Sequence, residues 1–360
     1  MSMTCTKDDA GKVVSVLGAV DPASLGPTLV HEHLFIDLRH ASFVPPPDGL
    51  EAIAAAATAS LEQSVLARHS CSVRDNLVLD DPALAAEELA LFAAAGGGAV
   101  VDVTPPDIGR APEALRSLAA QTGVTIVMGC GHYCEIGYRN GTSAQSEAEL
   151  EEEIIRDLID GVDGVRAGIV GELGVNGEER GSRRLVGEMT ATERRVLRAG
   201  ARAARGTGAP MTVHLPSRPS AVPAVLEALG EAEAPLGRIS LSHMDSIADF
   251  ARHEEALDRG LWIQYDCFGM ALENDWYSDP GDEVRCDWLE RHRRAGRLDR
   301  VLVSHDVWCK AQLRAYGGAG YDHLLAAVAP ALRRRGFSES DLHQLLVENP
   351  ARFLTWGEAE

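Results

Sequence analysis

Lysine is almost missing from this chain. Lys7, Lys12 and Lys310 are the only three in 360 residues, so 31 of the 34 cationic side chains are arginine. Positive charge is short overall: 54 Asp and Glu against 34 Lys and Arg leave a formal net charge of −20. A chain this acidic is not built to track a phosphate backbone or to lie on an anionic membrane, so neither nucleic acid nor membrane is expected as a partner. Long apolar runs are also missing. No stretch reaches the roughly 18 apolar residues that a membrane span needs, because acids interrupt the alanine-rich segments. Met1 to Lys12 lacks the apolar run of a secretory signal, and a cytoplasmic location is expected. The seven cysteines (Cys5, Cys71, Cys130, Cys134, Cys267, Cys286 and Cys309) form no CxxC pair, and their number is odd. That argues against a disulfide framework and a thiolate zinc site, and for reduced thiols.

What is present reads as a folded enzyme-sized chain. Hydrophobic residues make up 45% and charged residues 24%, a composition that excludes intrinsic disorder. Eight short β-branched runs recur: Leu29–Ile36, Ala99–Thr104, Thr125–Tyr133, Ala167–Gly174, Met211–Leu215, Ile239–Asp245, Trp262–Cys267 and Val301–Asp306. Several are continuously apolar, as a parallel sheet covered on both faces requires. Amphipathic stretches lie between them, among them Asp81–Ala95, Glu147–Asp160, Thr192–Ala204 and Asp282–Ala295. Asp81-Pro82 and the threonines Thr190 and Thr192 read as helix starts. The pattern predicts an α/β fold, a (β/α)8 TIM barrel in one domain spanning 1–360, with a short N-terminal β-hairpin within 12–28 and the barrel over 29–355. Two insertions interrupt the repeat. One follows strand one, from Arg39 to about Leu79, and carries Pro45-Pro46-Pro47. The other follows strand seven, from Phe268 to about Asp282, and carries Trp276, Tyr277 and Pro280. Both belong at the C-terminal mouth of a barrel, where active sites are built.

The strand ends carry the chemistry. Strand one ends in His31-Glu32-His33, strand four in Gly171-Glu172-Leu173-Gly174, strand five in His214, strand six in His243 and strand eight in His305-Asp306. Residues i and i+2 of a strand share a face, so His31 and His33 point the same way. Inside a barrel they would meet His214, His243, Glu172 and Asp306. Glu32 and His305 alternate outward and are expected to be structural. Four imidazoles and two carboxylates form a mixed N/O set suited to zinc or a similar divalent ion. Six ligands exceed one tetrahedral site but fit two cations sharing a carboxylate.

The segments LGPTLVHEHL, AAAGGGAVVDVTPPDIGRAPEALRSLAAQTGV, AGIVGELG, ISLSHMD, LDRVLVSHDVWCK, YGGAGYDHLL and LVENPARFLT run from Leu25 to Thr355. Together they resemble the phosphotriesterase-related family of the amidohydrolase superfamily. Within it they are most similar to the branch with mammalian phosphotriesterase-related protein and bacterial resiniferatoxin-binding-like proteins. The resemblance implies an amidohydrolase-type barrel with a binuclear centre of two divalent ions, most readily Zn2+. His31, His33 and Asp306 would hold the more buried ion, His214 and His243 the more exposed one, and Glu172 would bridge them. Many relatives bridge with a carboxylated lysine. With so few lysines, Glu172 supplies the anionic bidentate ligand instead.

The implied chemistry is hydrolysis of a small-molecule substrate. Water activated between two cations would attack a lactone, carboxylic ester or amide carbonyl, with Asp306 as catalytic proton acceptor. Two alternatives are phosphotriester hydrolysis and a non-catalytic small-molecule binding protein on the same barrel. The resemblance also suggests a homodimer. Six residues are expected at the substrate: Tyr133 at the end of strand three, Arg218 in HLPSR, Cys267 and Phe268 in YDCFG, and Trp308 and Lys310 after Asp306. Acyl-homoserine lactonases of the family carry arginine and tyrosine at Cys267 and Phe268, so this chain departs from them. The YD-x-FG segment is instead similar to the mammalian branch, which implies amide hydrolysis of an N-acyl amino acid or sulfonate.

Overall fold

A computed structural model describes residues 9–139, 141–176, 188–270, 273–274, 277–278 and 280–359. Cys5 and Trp276 lie outside these residues. Eight parallel strands form the sheet: β1 (Thr28–Glu32), β2 (Ala99–Asp102), β3 (Thr125–Cys130), β4 (Ile169–Gly174), β5 (Met211–His214), β6 (Ile239–Leu241), β7 (Trp262–Tyr265) and β8 (Val301–Val303). They are hydrogen-bonded in unbroken order from β8 back to β1. The seam between β8 and β1 closes at the mouth, where the Asp306 amide donates to the His31 carbonyl (3.2 Å) and the His31 amide to Ser304 Oγ (3.0 Å). The N-terminal hairpin pairs Val13–Ser15 with Gly18–Val20.

Helices α1 (Gln63–His69), α2 (Pro82–Ala94), α3 (Pro112–Thr122), α4 (Glu147–Ile159), α5 (Ala191–Thr207), α6 (Ala221–Glu231), α7 (Phe250–Asp258) and α8 (Asp282–Arg294) surround the sheet; α1 belongs to the first insertion. Their starts are written in the sequence. Asp81 accepts from the amides of Ala83 and Leu84 ahead of Pro82, and Ser146/Glu149 and Thr190/Glu193 form reciprocal capping boxes.

Strand alternation sorts the apolar residues into two shells. Val101, Val127, Ile169 and Leu302 pack inside, closed below by Val13 of the hairpin and by Phe353 and Leu354 near the C-terminus. Val100, Ile126, Val170 and Ile263 face outward against the helices. Between β5, β6 and β7 the interior is polar instead: Gln264 donates to Ser240 (2.7 Å) and Thr212 (3.1 Å), directly below the mouth. In the glycine triplet before β2, a side chain at Gly98 would place its Cβ 2.1 Å from the Leu25 carbonyl oxygen, so the hairpin connection packs there only against bare backbone.

The first strand is shorter than the sequence suggests. It stops at Glu32, and Ile36–Asp37 pairs antiparallel with Val78–Leu79 across the base of the first insertion. The cause is Asp102, whose carboxylate accepts from the Leu34 amide (2.7 Å) where a ladder partner would otherwise sit. In the second insertion Glu273–Asn274 pairs antiparallel with Tyr277–Ser278, and the first of these strands lies against α1 of the first insertion. No helix among the described residues is long and apolar enough to cross a membrane. None of the six described cysteines is in a disulfide, and all are buried.

Outside the barrel, the Tyr265 hydroxyl bridges two buried imidazoles, His253 Nδ1 at 2.7 Å and His292 Nε2 at 3.0 Å, while His253 Nε2 meets the Ile247 carbonyl at 2.8 Å. Burial pushes His253 down to about 4, and burial reinforced by His253, Arg297 and Arg291 pushes His292 down to about 3. Both therefore stay neutral in the fold while the unfolded chain takes up protons near pH 6.5. Stability should fall as pH drops below 6.5, by about 1.4 kcal/mol per pH unit for each unmatched proton. Urea unfolding between pH 7 and 4.5, in the presence of a chelator, checks this: the pH slope should flatten in His253→Gln/His292→Gln, and an equal slope in both proteins would exclude the pair as its source.

Candidate metal centre

Six side chains meet at the mouth. His31 and His33 come from the end of β1, Glu172 from β4, His214 from β5, and His243 and Asp306 from the turns just past β6 and β8. His243 and Asp306 both sit in the left-handed region (φ 57° and 50°), which ends their strands and turns each side chain back over the mouth. Such conformations are unfavourable for non-glycine residues and concentrate where position matters.

The distances divide the cluster into two halves. In the first, His33 Nε2 lies 3.5 Å from Glu172 Oε1 and 3.3 Å from Asp306 Oδ1, and His31 Nε2 lies 3.4 Å from Glu172 Oε2 and 3.6 Å from Asp306 Oδ1. In the second, His214 Nδ1 is 2.9 Å from both Glu172 Oε2 and His243 Nε2. Glu172 thus presents Oε1 to His33 and Oε2 to both His31 and His214. Two bonds of about 2.1 Å at a tetrahedral angle span about 3.4 Å, so the first half has the ligand spacing of a zinc-like site. His31 Nε2 is buried and makes no hydrogen bond, although it points at this cluster. An unpartnered imidazole nitrogen facing carboxylate oxygens is the donor set a divalent cation takes.

The opposite ring nitrogens of His31, His33 and His243 are engaged. His33 Nδ1 meets Thr104 Oγ1 (2.8 Å), and His31 Nδ1 meets Ser242 (3.2 Å), Gln264 (3.3 Å) and Asp266 Oδ2 (3.3 Å). Asp266 Oδ1 holds His243 Nδ1 at 2.9 Å and also accepts from the His243 amide (3.0 Å). These contacts fix ring orientation and leave Nε2 facing the centre. His214 is the exception, turning Nδ1 inward.

Three carboxylates in one buried place dominate the electrostatics. Burial opposes a proton on His31, yet Asp266, Glu172 and Asp306 outweigh it and raise the imidazole to about 9. His33 and His243 are raised against the same burial, by Asp306 and Glu172 for the first and chiefly by Asp266 for the second. His214 goes the other way, lowered by burial despite Glu172 beside it. Burial likewise opposes ionisation of Glu172, but His214 and His31 hold its carboxyl well below the usual range. The cluster demands positive charge, which protons or metal cations can supply.

Above it opens a cavity of about 170 Å³. Its lining includes His33, Glu172, His214, His243 and Asp306 on the floor, and Ile36, Leu38, Ile108, Leu215, Tyr133 and Trp308 on the walls. The Tyr133 ring stands edge-on to His214 at 5.0 Å. Ser42 and Cys71 bring the first insertion into the lining.

Four residues expected at the substrate lie elsewhere. Cys267 and Phe268 are fully buried behind His243, because β7 ends at Tyr265 and the chain turns away from the cavity; the Cys267 amide donates to Asp245 (3.0 Å). Lys310 Nζ is paired with Asp75 at 2.6 Å, which binds the first insertion to the loop after β8. Arg218 is half-buried in the turn before α6, outside the lining. Glu32 and His305 do point away from the centre, and bond each other at 2.9 Å. The sequence reading passed over Asp266, Thr104 and Asn176. Asp266 carried a usable signal, a carboxylate at a strand end like the ligands themselves.

The family model described as the phosphotriesterase family matches residues 11–354. The N-acetyltaurine hydrolase of Homo sapiens is 35% identical over 356 residues, covering 96% of this chain and 99% of that protein. The crystal structure of a resiniferatoxin-binding protein from Rhodobacter sphaeroides superposes with a TM-score of 0.90 at 34% identity, covering 97% of each chain. An organophosphorus hydrolase from Deinococcus radiodurans gives 0.73 at 28% identity, covering 98% of this chain and all of that one.

Asp266 touches two of the clustered histidines from behind, so it should govern cation affinity without lining the cavity. Asp266→Asn is expected to weaken zinc binding about 10–100-fold with the fold intact. Competition against a chromophoric chelator measures this, and unchanged affinity would leave Asp266 no orienting role.

Proposed function

This chain belongs to the phosphotriesterase family, and on that footing we propose that it is a binuclear hydrolase, with zinc as the expected metal, acting on a small lactone, carboxylic ester or amide. It is a hydrolase by kinship with relatives named as such. The observation that carries the finer reading is the place of Glu172 between two sets of histidines, with Oε1 toward His33 and Oε2 toward both His31 and His214. His31, His33 and Asp306 would hold one cation, and His214 and His243 the other. When bound, such a pair lowers the pKa of water toward neutrality and polarises a carbonyl or phosphoryl oxygen.

The chain's own residues do the rest. Asp306 reaches the cavity from β8, with Oδ1 3.3 Å from His33 Nε2 and Oδ2 4.0 Å from His243 Nδ1. It accepts the proton of the attacking water and returns it to the leaving group. Tyr133, Trp308, Leu38 and Ile108 form an apolar wall that strips water from the substrate and strengthens each charge interaction on the floor. Glu172 would take the bridging place without a modified lysine, because none of the three lysines is on β4.

Amide hydrolysis is the favoured form, supported by the identity to N-acetyltaurine hydrolases and by the YDCFG segment. Phosphotriester hydrolysis is the second reading, supported by the likeness to the organophosphorus hydrolase. A binding protein on the same barrel is the third, supported by the likeness to the Rhodobacter protein; it leaves the cluster of Glu172 with Asp306 without a purpose.

Metal-loaded protein should carry about two divalent ions per chain and hydrolyse one of a panel of N-acyl amines, esters, lactones and a phosphotriester. Chelation should abolish turnover, and zinc should restore it. Asp306→Asn should lower kcat by about 10²–10⁴-fold with KM changed only a few-fold. Unchanged kcat would remove Asp306 as the base, and a metal-free chain that binds small molecules without turnover would favour the third reading.

A further inference from the structure

The first turn of α8 reaches back to the metal centre. Asp282 and Arg285, three residues apart, share one face of that helix. Arg285 is fully buried, and its Nε lies 2.6 Å from Oδ2 of an equally buried carboxylate, Asp245. Asp245 stands two residues past His243, in the turn that follows β6. Its carboxylate accepts from two successive amides of the turn past β7, Asp266 on Oδ1 (3.3 Å) and Cys267 on Oδ2 (3.0 Å). The next amide, Phe268, donates to the Ser304 carbonyl (3.3 Å), and the one after it, Gly269, to Asp282 Oδ1 (2.9 Å). Every amide from Asp266 to Gly269 is therefore held by a group from another element. The hold is reciprocal. The Asp266 carboxylate accepts from the His243 amide (3.0 Å) and meets Nδ1 of His243 (2.9 Å) and of His31 (3.3 Å).

A charge pair shut wholly inside a protein returns little net stability, because desolvation offsets the attraction. What Asp245 supplies that an apolar side chain lacks is a pair of acceptor oxygens, engaged here by two adjacent amides. Arg285 balances the charge and fixes the carboxylate in place. We infer that Arg285 and Asp245 are positioning residues of the metal centre: Arg285 holds Asp245, Asp245 sets the turn from which Asp266 is aimed, and Asp266 holds the rings of His31 and His243. One histidine from each half of the cluster is thereby steadied from a helix none of whose described residues lines the cavity. The inference rests on the binuclear reading, from which it takes the two histidines as ligands.

Zinc affinity, read by competition with a chromophoric chelator, tests it without any substrate. Arg285→Met alone leaves the Asp245 carboxylate buried without Arg285 and destabilises the fold, so the variant of choice is the charge-free Arg285→Met/Asp245→Asn. Its circular dichroism should match that of the unmutated chain, while zinc binds about tenfold more weakly. In an Asp266→Asn background the same two changes should cost less than about twofold, because the group they act through is already altered. In a Thr104→Val background, which disturbs His33 instead, the loss of about tenfold should persist. Zinc binding equal to that of the unmutated chain would mark a pair that only neutralises itself, and would overturn the inference. A loss undiminished in Asp266→Asn would overturn it too, as would a charge-free variant that does not fold. Either of the first two results, with zinc still bound by the unmutated chain, leaves the binuclear reading standing. An unmutated chain that binds no zinc would overturn that reading and the inference with it.

Discussion

One buried carboxylate closes the barrel. Glu32 sits between the paired histidines on β1, fully buried and turned away from the cluster. Its Oε1 accepts from Ser304 Oγ (2.7 Å), the His305 amide (2.9 Å) and His305 Nδ1 (2.9 Å), and its Oε2 accepts from the Val307 amide (3.0 Å). Charge-assisted bonds of this kind are short and stronger than neutral ones. Here four of them fasten the first strand to the last, where the strands share little ladder. The bonded atoms bracket Asp306 on both sides. His305 carries the clasp outward, its Nε2 accepting from the Leu324 amide (2.9 Å). Seam closure and placement of the β8 ligand are therefore one event, and the left-handed turn at Asp306 is held by its neighbours.

The same economy of charge runs through the mouth. Glu172, Asp266 and Asp306 are carboxylates at the ends of three different strands, and no lysine or arginine among the described residues lines the cavity to answer them. Imidazoles answer instead, which is why His31, His33 and His243 are pulled toward the protonated form despite burial. A protein interior does not hold this much negative charge as a source of stability, since desolvation alone makes such clusters costly. The arrangement is intelligible as a cage whose natural occupants are cations. Arginine is plentiful, but it is spent outside, in pairs such as Arg110 with Asp157 and Arg285 with Asp245.

Much of this was legible in the sequence, for a physical reason. Strand period forces His31 and His33 onto one face and Glu32 onto the other, and short apolar runs ending in polar residues mark the open end of a barrel. The eight strands, the hairpin and the clustered residues follow from those two regularities. Sequence alone gave no access to partners brought from afar. Lys310 read as a substrate contact until the fold carried Asp75 to it across 235 residues. Cys267 and Phe268 were placed at the mouth by their match to positions of the family's lactonases and by an expected strand Trp262–Cys267, but β7 stops two residues earlier, at Tyr265, and the chain turns behind His243. Ser42 and Cys71 line the cavity from an insertion with no periodicity to read, so nothing in their order announced them.

That division has a consequence for how such a site can change. The cage is built from strand ends and locked by buried carboxylates, so altering any member disturbs the barrel seam or the charge balance. The walls come from loops: Ile36, Leu38, Ser42 and Cys71 from the first insertion and its borders, Ile108 after β2, Tyr133 after β3 and Trp308 after β8. These can be exchanged without touching the cage, which is how one barrel keeps a reaction while its substrates diverge.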